Sequence, residues 1–551
     1  MLSNLKLRGS NPRPILLAIF IFGAWLRLDQ FTYQIVTDDE WHVLNQLVSH
    51  TPRQFLLTYG FSDFSIPLAL LYWAEANWFG LSELGMRWPM MSAGLLMLLL
   101  FPLWVSRHLG WRVALIFALL LAISPLLVNY SRNARPYALT LLLGYVAHYA
   151  FLRYGSRRRG QTAFGFLYGL SATLASWLHL ISLPFVAAPI LLASIPALQR
   201  LQQGDWTPIR RILFISVPTG LATALLVLPP LLSDPGAMLD KSGSDHPNLN
   251  TLVGVWYTWL GTPSTFAVLV CLGLASMGLT SLWKEAPLAK SVGLGLMLIL
   301  MLLLITRPAW IHNPLTFGRY LLPAIVVLLL AIAAGTNNLA SRIECNWGKV
   351  ATIPVLLLPI LVLISGTPLK DSLRKPNSNT LHSYFQFDYR KDQSGSVKEN
   401  MESRIPLSPW WKTLLERPRE SELIAAAPYY NFSPKWDAPR WEKLGRQRII
   451  PGFLTGLCID RREGELPDDD RFAMRNAVHL GNEEELRRKQ VDLIVFQKPY
   501  LDRHGKEPVL MGADVAYCLN VLRARYGKPE YEDDKIAVFS LQQSNPIALH
   551  D

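Results

Sequence analysis

Long apolar runs separated by short polar stretches fill the chain from residue 12 to about residue 365. A helix that crosses a membrane needs about 20 mostly apolar residues, with a usable range of roughly 17–25. By that measure eleven segments are predicted to span a membrane, near residues 13–30, 88–106, 112–129, 137–153, 162–179, 182–199, 212–232, 264–283, 290–307, 318–336 and 350–366. The pattern predicts an α-helical multi-pass membrane protein.

One further apolar segment, residues 66–79, is short and contains Glu75 and Asn77. Basic residues between spans collect on the cytoplasmic side of a membrane. If residues 66–79 do not span, all the basic clusters fall on one side; if they do, the first cluster lies opposite the others. The clusters are Lys6/Arg8/Arg13, Arg107/Arg112, Arg153/Arg157/Arg158/Arg159, Arg200/Arg210/Arg211, Lys284/Lys290 and Arg342/Lys349. The segment is therefore predicted to lie at the outer interface, anchored by Trp73 and Trp78.

This topology places the N-terminus in the cytoplasm and residues 31–87 outside, as the first external loop of a membrane part that covers residues 1–366. An odd number of spans also places residues 367–551 outside. Three strand-like segments, 422–426, 491–496 and 535–539, and a helix over 483–489 predict a soluble C-terminal α/β domain. A disulfide between Cys458 and Cys518 is left open, because sequence alone does not set their distance.

Composition agrees with two parts, since only 17% of the 551 residues are charged, against roughly 25% in soluble domains. The net charge of +12 would suggest nucleic acid as a partner in a soluble protein. Here the basic residues lie between apolar runs, which is what membrane orientation requires. Membrane lipids are therefore the expected partner, and nucleic acid is not.

Three consecutive carboxylates, Asp38, Asp39 and Glu40, follow the first span and are followed by His42. Such a cluster binds a cation, carries out acid/base chemistry or forms a solvated turn. At a membrane surface a carboxylate can face a lipid headgroup with a leaving phosphate. Transfer of a group from that phosphate needs a base for the acceptor hydroxyl and cations for the departing phosphate.

Several basic and aromatic residues are predicted on the same outer side. An arginine at the end of a span is also a common snorkelling anchor, and a lone histidine there is commonly a structural hydrogen-bonding group. The shared face favours a site that includes them. The candidates are Arg87, Arg132, Asn133, Arg135, Tyr137, His179, His312, Arg319 and Tyr320.

At these residues the chain resembles the GT-C superfamily of polyprenyl-phosphate-sugar glycosyltransferases, in the bacterial branch related to protein mannosyltransferases and lipid A aminoarabinose transferases. The resemblance covers roughly residues 10–370. The matching motifs are Asp39-Glu40, Gly80-Leu81-Ser82-Glu83 with Arg87, residues 134–139 and residues 319–323.

The resemblance implies an inverting transfer of a sugar from a polyprenyl-phosphate donor to an extracytoplasmic glycan, lipid or protein acceptor, at the bacterial inner membrane. It implies that Asp39 is the general base with Glu40 beside it, and that Arg87, Arg135, Arg319 and Tyr320 bind the donor phosphate.

Two positions depart from the family pattern. Asn133 stands where the family often has an acidic residue, and Asp63 where many relatives have a histidine. The acidic residue of the family is a second carboxylate or metal ligand, so Asn133 argues against a required divalent metal ion. Whether a metal binds at Asp39 and Glu40 stays open.

Two other functions remain open. A lipid-linked oligosaccharide ligase or polymerase would use a diphosphate carrier, and only the family motifs argue against it. A transporter or flippase commonly places ionisable residues near the bilayer midplane. The predicted spans are nearly free of such residues, and this favours the transferase.

Overall fold

The computed structural model describes most of the membrane part and the central elements of the C-terminal part. The described residues are 11–28, 31–33, 36, 40–60, 65–155, 161–243, 245–262, 264–285, 287–366, 408–413, 422–428, 448–459, 471–472, 474, 476–498 and 515–541. Asp38, Asp39, Asp63 and the polar stretch 370–402 lie outside them.

The chain divides into two compact units. The first comprises Met1–Asp29, Pro52–Leu68 and Arg87–Lys370, and the second comprises Gln30–Thr51, Ala69–Met86 and Asp371–Asp551. The second unit thus takes up two pieces of the external loop that the sequence analysis assigned to the membrane part.

Helices lie at all eleven positions predicted to span. They are α1 (Arg13–Leu28), α5 (Glu83–Leu109), α6 (Trp111–Ile123) with α7 (Pro125–Ser131), α8 (Tyr137–Gly155), α9 (Gln161–Leu178), α10 (Leu183–Gln202), α11 (Thr207–Ser233), α14 (Thr265–Glu285), α15 (Pro287–Thr306), α17 (Pro323–Trp347) and α18 (Ile353–Gly366). Shorter helices are α2 (Trp41–Ser49), α3 (Pro52–Leu56), α4 (Ile66–Trp78), α12 (Pro235–Leu239), α13 (Leu249–Leu260) and α16 (Pro314–Tyr320).

Among the described residues, six helices are long and apolar enough to cross a membrane unaided: α5, α10, α11, α14, α15 and α17. A seventh span results if α6 and α7, which meet at an angle of 63°, are counted together. The helix α4 has 13 residues and a length of about 20 Å, which is too short for a bilayer core of about 30 Å. The multi-pass helical architecture is confirmed.

Two glycines bring α14 and α17 into backbone contact. A Cβ atom added at Gly335 would lie 1.8 Å from the carbonyl oxygen of Leu274, and one added at Gly278 would lie 1.9 Å from that of Ala331. Small residues allow this close approach in membrane helices, where van der Waals packing replaces the hydrophobic effect. The pair α14–α17 is therefore held by backbone-to-backbone packing.

The C-terminal part of the second unit contains a six-stranded sheet in the order β3-β2-β1-β4-β6-β5. The first four strands in that order are parallel, while β6 runs antiparallel to β4 and β5 antiparallel to β6. The elements are α19 (Pro409–Thr413), β1 (Leu423–Ala427), β2 (Arg448–Phe453), β3 (Val478–His479), α20 (Glu483–Arg488), β4 (Leu493–Gln497), α21 (Val515–Tyr526), β5 (Tyr531–Glu532) and β6 (Ile536–Ser540). The strands β1 and β4 are buried throughout, as expected for central strands covered on both faces. The predicted α/β domain is confirmed.

The loop pieces in the second unit join this domain through hydrogen bonds. The Leu81 amide donates to the carbonyl of Arg471 (2.7 Å), and the Asn476 amide donates to the buried carboxylate of Glu83 (3.0 Å). The Asn476 side chain also donates to the carbonyl of Thr32 (2.6 Å). These contacts explain why parts of the loop and the C-terminal domain form one unit.

Two further features stabilise the second unit. A disulfide joins Cys458 to Cys518, a pairing that the sequence analysis left open. Burial acts to raise the pKa of Glu485, but hydrogen bonds from His479 and Lys489 outweigh it and lower that pKa to about 2. The carboxylate of Glu485 therefore ties α20 to β3 in its ionised form.

Candidate functional site

A polar segment between α6 and α8 is buried along its whole length, from Ser124 to Tyr137. The span predicted over residues 112–129 breaks at Ser124, whose backbone is extended, and resumes at Pro125 as the short helix α7. Proline suits the first position of a helix because its missing N–H is not needed there. The break turns the chain inward and carries Arg132, Asn133 and Arg135 into the first unit.

Arg27, at the end of α1, binds the broken helix. Its guanidinium group donates to the carbonyl oxygens of Leu121 and Ala122, both at 3.1 Å, and to the hydroxyl of Ser131 at 3.3 Å. In return, Arg132 donates to the carbonyl oxygen of Arg27 at 3.1 Å. Both arginines are buried, and these hydrogen bonds stabilise their charges in the absence of water.

The side chain of Tyr137, which begins α8, is the centre of an arginine–tyrosine cluster. The guanidinium carbons of Arg135 and Arg319 lie 5.8 and 5.9 Å from the centre of the Tyr137 ring. The imidazole of His179 is centred 5.6 Å from the same ring, and the ring of Tyr320 is centred 5.9 Å from that imidazole. Five predicted site residues from three separate stretches of sequence are thus brought together.

A small pocket opens beside this cluster. Its walls include Tyr137, His179, Arg319 and Tyr320 together with Thr140 and Ser182, and its apolar side is formed by Leu141, Ile181, Phe185, Ile299, Leu322 and Pro323. The α16–α17 end of the pocket is fixed by Tyr145, whose hydroxyl donates to the carbonyl of Pro323 at 2.8 Å. The pocket joins cationic and aromatic groups to an apolar wall, a combination that fits an amphiphilic ligand.

Several buried polar atoms on the same segment have no hydrogen-bond partner among the described residues. They include the hydroxyl oxygens of Ser124 and Tyr137, the amide oxygen of Asn133 and the amide nitrogen of Asn129. Buried polar groups in native proteins are almost always paired with protein, water or ligand. The Tyr137 hydroxyl, on a residue that lines the pocket, is therefore a candidate ligand contact.

Other predicted site residues lie elsewhere. Arg87 is buried in the first turns of α5. His312 lies in the loop before α16, where its Nδ1 atom contacts a carboxylate oxygen of Asp245 at 2.5 Å and its side chain is 47% exposed. This hydrogen bond holds the pKa of Asp245 below its usual range. The His312–Asp245 pair is a surface contact between two loops.

Glu40 belongs to the second unit. It precedes α2 and is fully buried, and His42 lies half-buried in the first turn of that helix. Asp38 and Asp39 lie outside the described residues, so the base assigned to Asp39 stays a prediction.

Within the described part of the chain, no group of three or more His, Cys, Asp or Glu side chains could hold a metal ion. The Asp39–Glu40 metal alternative is untested by this observation, since Asp39 is not among those residues.

Arg27 was not among the residues predicted for the site. Arg27 ends an apolar run, where an arginine commonly reaches toward the headgroups. Pro125 within a predicted span was the one available signal, because a proline inside a helix often marks a break that leaves carbonyl groups to be satisfied.

No protein-family model and no curated protein matches the sequence. Similar solved structures include ArnT from Cupriavidus metallidurans bound to undecaprenyl phosphate, with 12% identity, a TM-score of 0.42 and coverage of 96% of this chain and 97% of that one. They also include the apo oligosaccharyltransferase of Archaeoglobus fulgidus, with 12% identity, a TM-score of 0.45 and coverage of 89% and 70%. TM-scores below 0.5 at such identities assign neither substrate nor activity.

Proposed function

We propose that this chain is a GT-C-type membrane glycosyltransferase, which moves a sugar from a polyprenyl-phosphate donor to an acceptor outside the cytoplasm. The observation that carries the proposal is the arginine–tyrosine cluster, in which the guanidinium groups of Arg135 and Arg319 each lie within 6 Å of the centre of the Tyr137 ring, beside a partly apolar pocket. A polyprenyl-phosphate sugar is an anionic phosphodiester on a long apolar chain, and it matches both halves of that pocket.

Two guanidinium groups near one ring are complementary to a phosphate, because each presents a planar fork of N–H donors to oxygen. The buried hydroxyl of Tyr137 adds a neutral donor. Phosphate is also the leaving group of the reaction, so the same donors would stabilise the charge that develops as the glycosidic bond breaks.

Base catalysis is assigned to Asp39 on the family resemblance. In the proposed step the Asp39 carboxylate takes the proton of the acceptor hydroxyl, and the hydroxyl oxygen attacks the anomeric carbon as the bond to phosphate breaks. A single displacement of this kind inverts the anomeric configuration. A glycolipid, a polysaccharide or a protein with a free hydroxyl are the acceptor classes.

Binding of polyprenyl phosphate to the purified protein tests the cluster. Arg135→Gln and Arg319→Gln should each weaken binding at least tenfold, the cost of about 1.4 kcal/mol expected for a charged hydrogen bond. Arg307→Gln is the matched control, since Arg307 is an exposed arginine in the loop after α15. It should bind as wild type does.

The assignment would fail if both cluster variants bound polyprenyl phosphate as tightly as Arg307→Gln. Binding of the lipid diphosphate in preference to the monophosphate would instead favour the ligase or polymerase.

A transfer assay tests the base. Asp39→Asn should abolish release of labelled sugar from the carrier lipid in membranes, while Asp240→Asn, at an exposed carboxylate after α12, should leave it unchanged. Equal activity of Asp39→Asn and wild type would remove Asp39 from the mechanism.

A further inference from the structure

We propose that Arg27 is a positioning residue: it holds the α6–α7 bend so that the segment leading to Arg135 and Tyr137 presents both side chains to the lipid phosphate. The inference rests on the proposed function for the identity of the ligand. The geometry of the bend stands independently of it.

The bend creates a need that Arg27 meets. The last four carbonyl groups of a helix have no partner within it, and α6 ends at Ile123. For Leu121 the N–H four residues ahead would belong to Pro125, which has none. In an apolar membrane interior, such a carbonyl needs a donor from another part of the protein.

Arg27 supplies donors to this break from a different helix. Its Nη2 atom lies 3.1 Å from the oxygen of Leu121 and its Nη1 atom 3.1 Å from that of Ala122, while Nη1 is also 3.0 Å from the oxygen of Gly23 in α1. One guanidinium group therefore bridges α1 and the end of α6. A lysine could not do so, because its three donors share one nitrogen atom.

The far side of the bend is fixed as well. The Ser131 hydroxyl accepts from Arg27 Nε and donates to the carbonyl of Leu127 at 2.7 Å. A Cβ atom on Gly94 of α5 would lie 2.1 Å from that hydroxyl oxygen, so α5 closes directly over it. With Arg132 bonded back to the Arg27 carbonyl, residues 131 and 132 are held in place.

Only two residues separate Arg132 from Arg135, and Tyr137 follows two positions later. A chain pinned at residues 131–132 and entering α8 at Tyr137 has little freedom between those points. Arg27 thus acts on the cluster through the backbone, without touching the pocket itself.

The test combines amide hydrogen exchange with polyprenyl-phosphate binding on the full-length protein in detergent. Arg27→Met removes the N–H donors. Arg27→Lys keeps the charge but places its donors on one nitrogen atom, and it serves as the test variant if Arg27→Met does not fold. Arg112→Met is the control, since Arg112 pairs with Glu344 (2.6 Å) at the opposite end of α6.

Both Arg27 variants should raise exchange over residues 121–137 and weaken lipid-phosphate binding at least tenfold, with the lysine variant less affected. In the Arg27 variants, exchange outside residues 121–137 should match wild type. The control Arg112→Met should match wild type in exchange over residues 121–137 and in lipid-phosphate binding. Unchanged exchange over 121–137, or raised exchange with wild-type binding, would overturn the positioning role. If wild type binds no polyprenyl phosphate, the proposed function fails, and the exchange result still decides whether Arg27 holds the bend.

Discussion

Gly335→Ala is predicted to be among the most damaging single-methyl changes in the membrane part. The added Cβ atom would lie 1.8 Å from the carbonyl oxygen of Leu274 and 2.8 Å from its carbonyl carbon. Carbon and oxygen approach no closer than about 3.3 Å even in weak hydrogen bonds, so the helices must separate by roughly 1.5 Å locally. The atoms that must move are backbone atoms of α14, which cannot rotate aside as a side chain can.

Overpacking of this kind costs about 1–3 kcal/mol, and a backbone clash belongs at the upper end. The matched control is Gly273→Ala, since a Cβ atom there meets nothing within 4 Å. A glycine-to-alanine change at an open helical position is neutral or favourable by up to about 1 kcal/mol. Gly335→Ala should therefore lower the thermal midpoint of the purified protein by several degrees, whereas Gly273→Ala should not.

The same variant should reach the site, because α17 begins three residues after Tyr320. We expect Gly335→Ala to weaken polyprenyl-phosphate binding as α17 shifts. Equal thermal midpoints for the two alanine variants would refute the close approach of α14 and α17.

Three further predictions concern single contacts. Cys518→Ser opens the 60-residue loop that the disulfide to Cys458 closes, and it should lower the free energy of unfolding of the C-terminal domain by about 4 kcal/mol. Amide exchange in the central strands should become faster; exchange at the wild-type rate would contradict this. Because the folded pKa of Glu485 is depressed to about 2, its contribution to the stability of the fold is present above the unfolded pKa near 4.3 and is lost as pH falls toward 2. Glu485→Gln should therefore abolish the loss of amide protection in α20 over this pH range, protection being taken relative to the intrinsic exchange rate. A loss that persists in the variant would count against the assignment. Tyr137→Phe should weaken polyprenyl-phosphate binding about three- to tenfold without lowering the thermal midpoint, since its hydroxyl has no partner among the described residues; wild-type affinity would exclude the contact.

The helices of the membrane part were predictable because span length and apolar composition are local properties. The strands β1, β4 and β6 were found for the same reason, as runs of apolar residues. The strand β2 was missed because it contains Pro451 and Gly452, both unusual in strands, and β3 and β5 have two residues each. Leu81 and Glu83 join the C-terminal domain through hydrogen bonds between residues nearly 400 positions apart in sequence. No local sequence pattern predicts such contacts.

The arginine–tyrosine cluster was predicted as a set of residue types at one membrane face. The sequence did not predict what brings the cluster together. The helix breaks at Ser124, and Arg27 donates hydrogen bonds to the carbonyl groups that the break leaves unpaired. A buried arginine that satisfies carbonyl groups and one that snorkels toward headgroups have the same appearance in a sequence. His312, which was also predicted at the outer end of a span, forms a surface contact with Asp245.

The central claim is transfer of a sugar from a lipid phosphate, and one measurement tests it most directly. The purified protein is reconstituted in vesicles with labelled polyprenyl-phosphate hexoses and pentoses and an envelope extract as acceptor, and loss of label from the carrier is followed. Wild type should release label from at least one donor, and Arg135→Gln and Asp39→Asn should not. Label that stays on every carrier with wild type, or leaves it equally fast with both variants, would contradict the account.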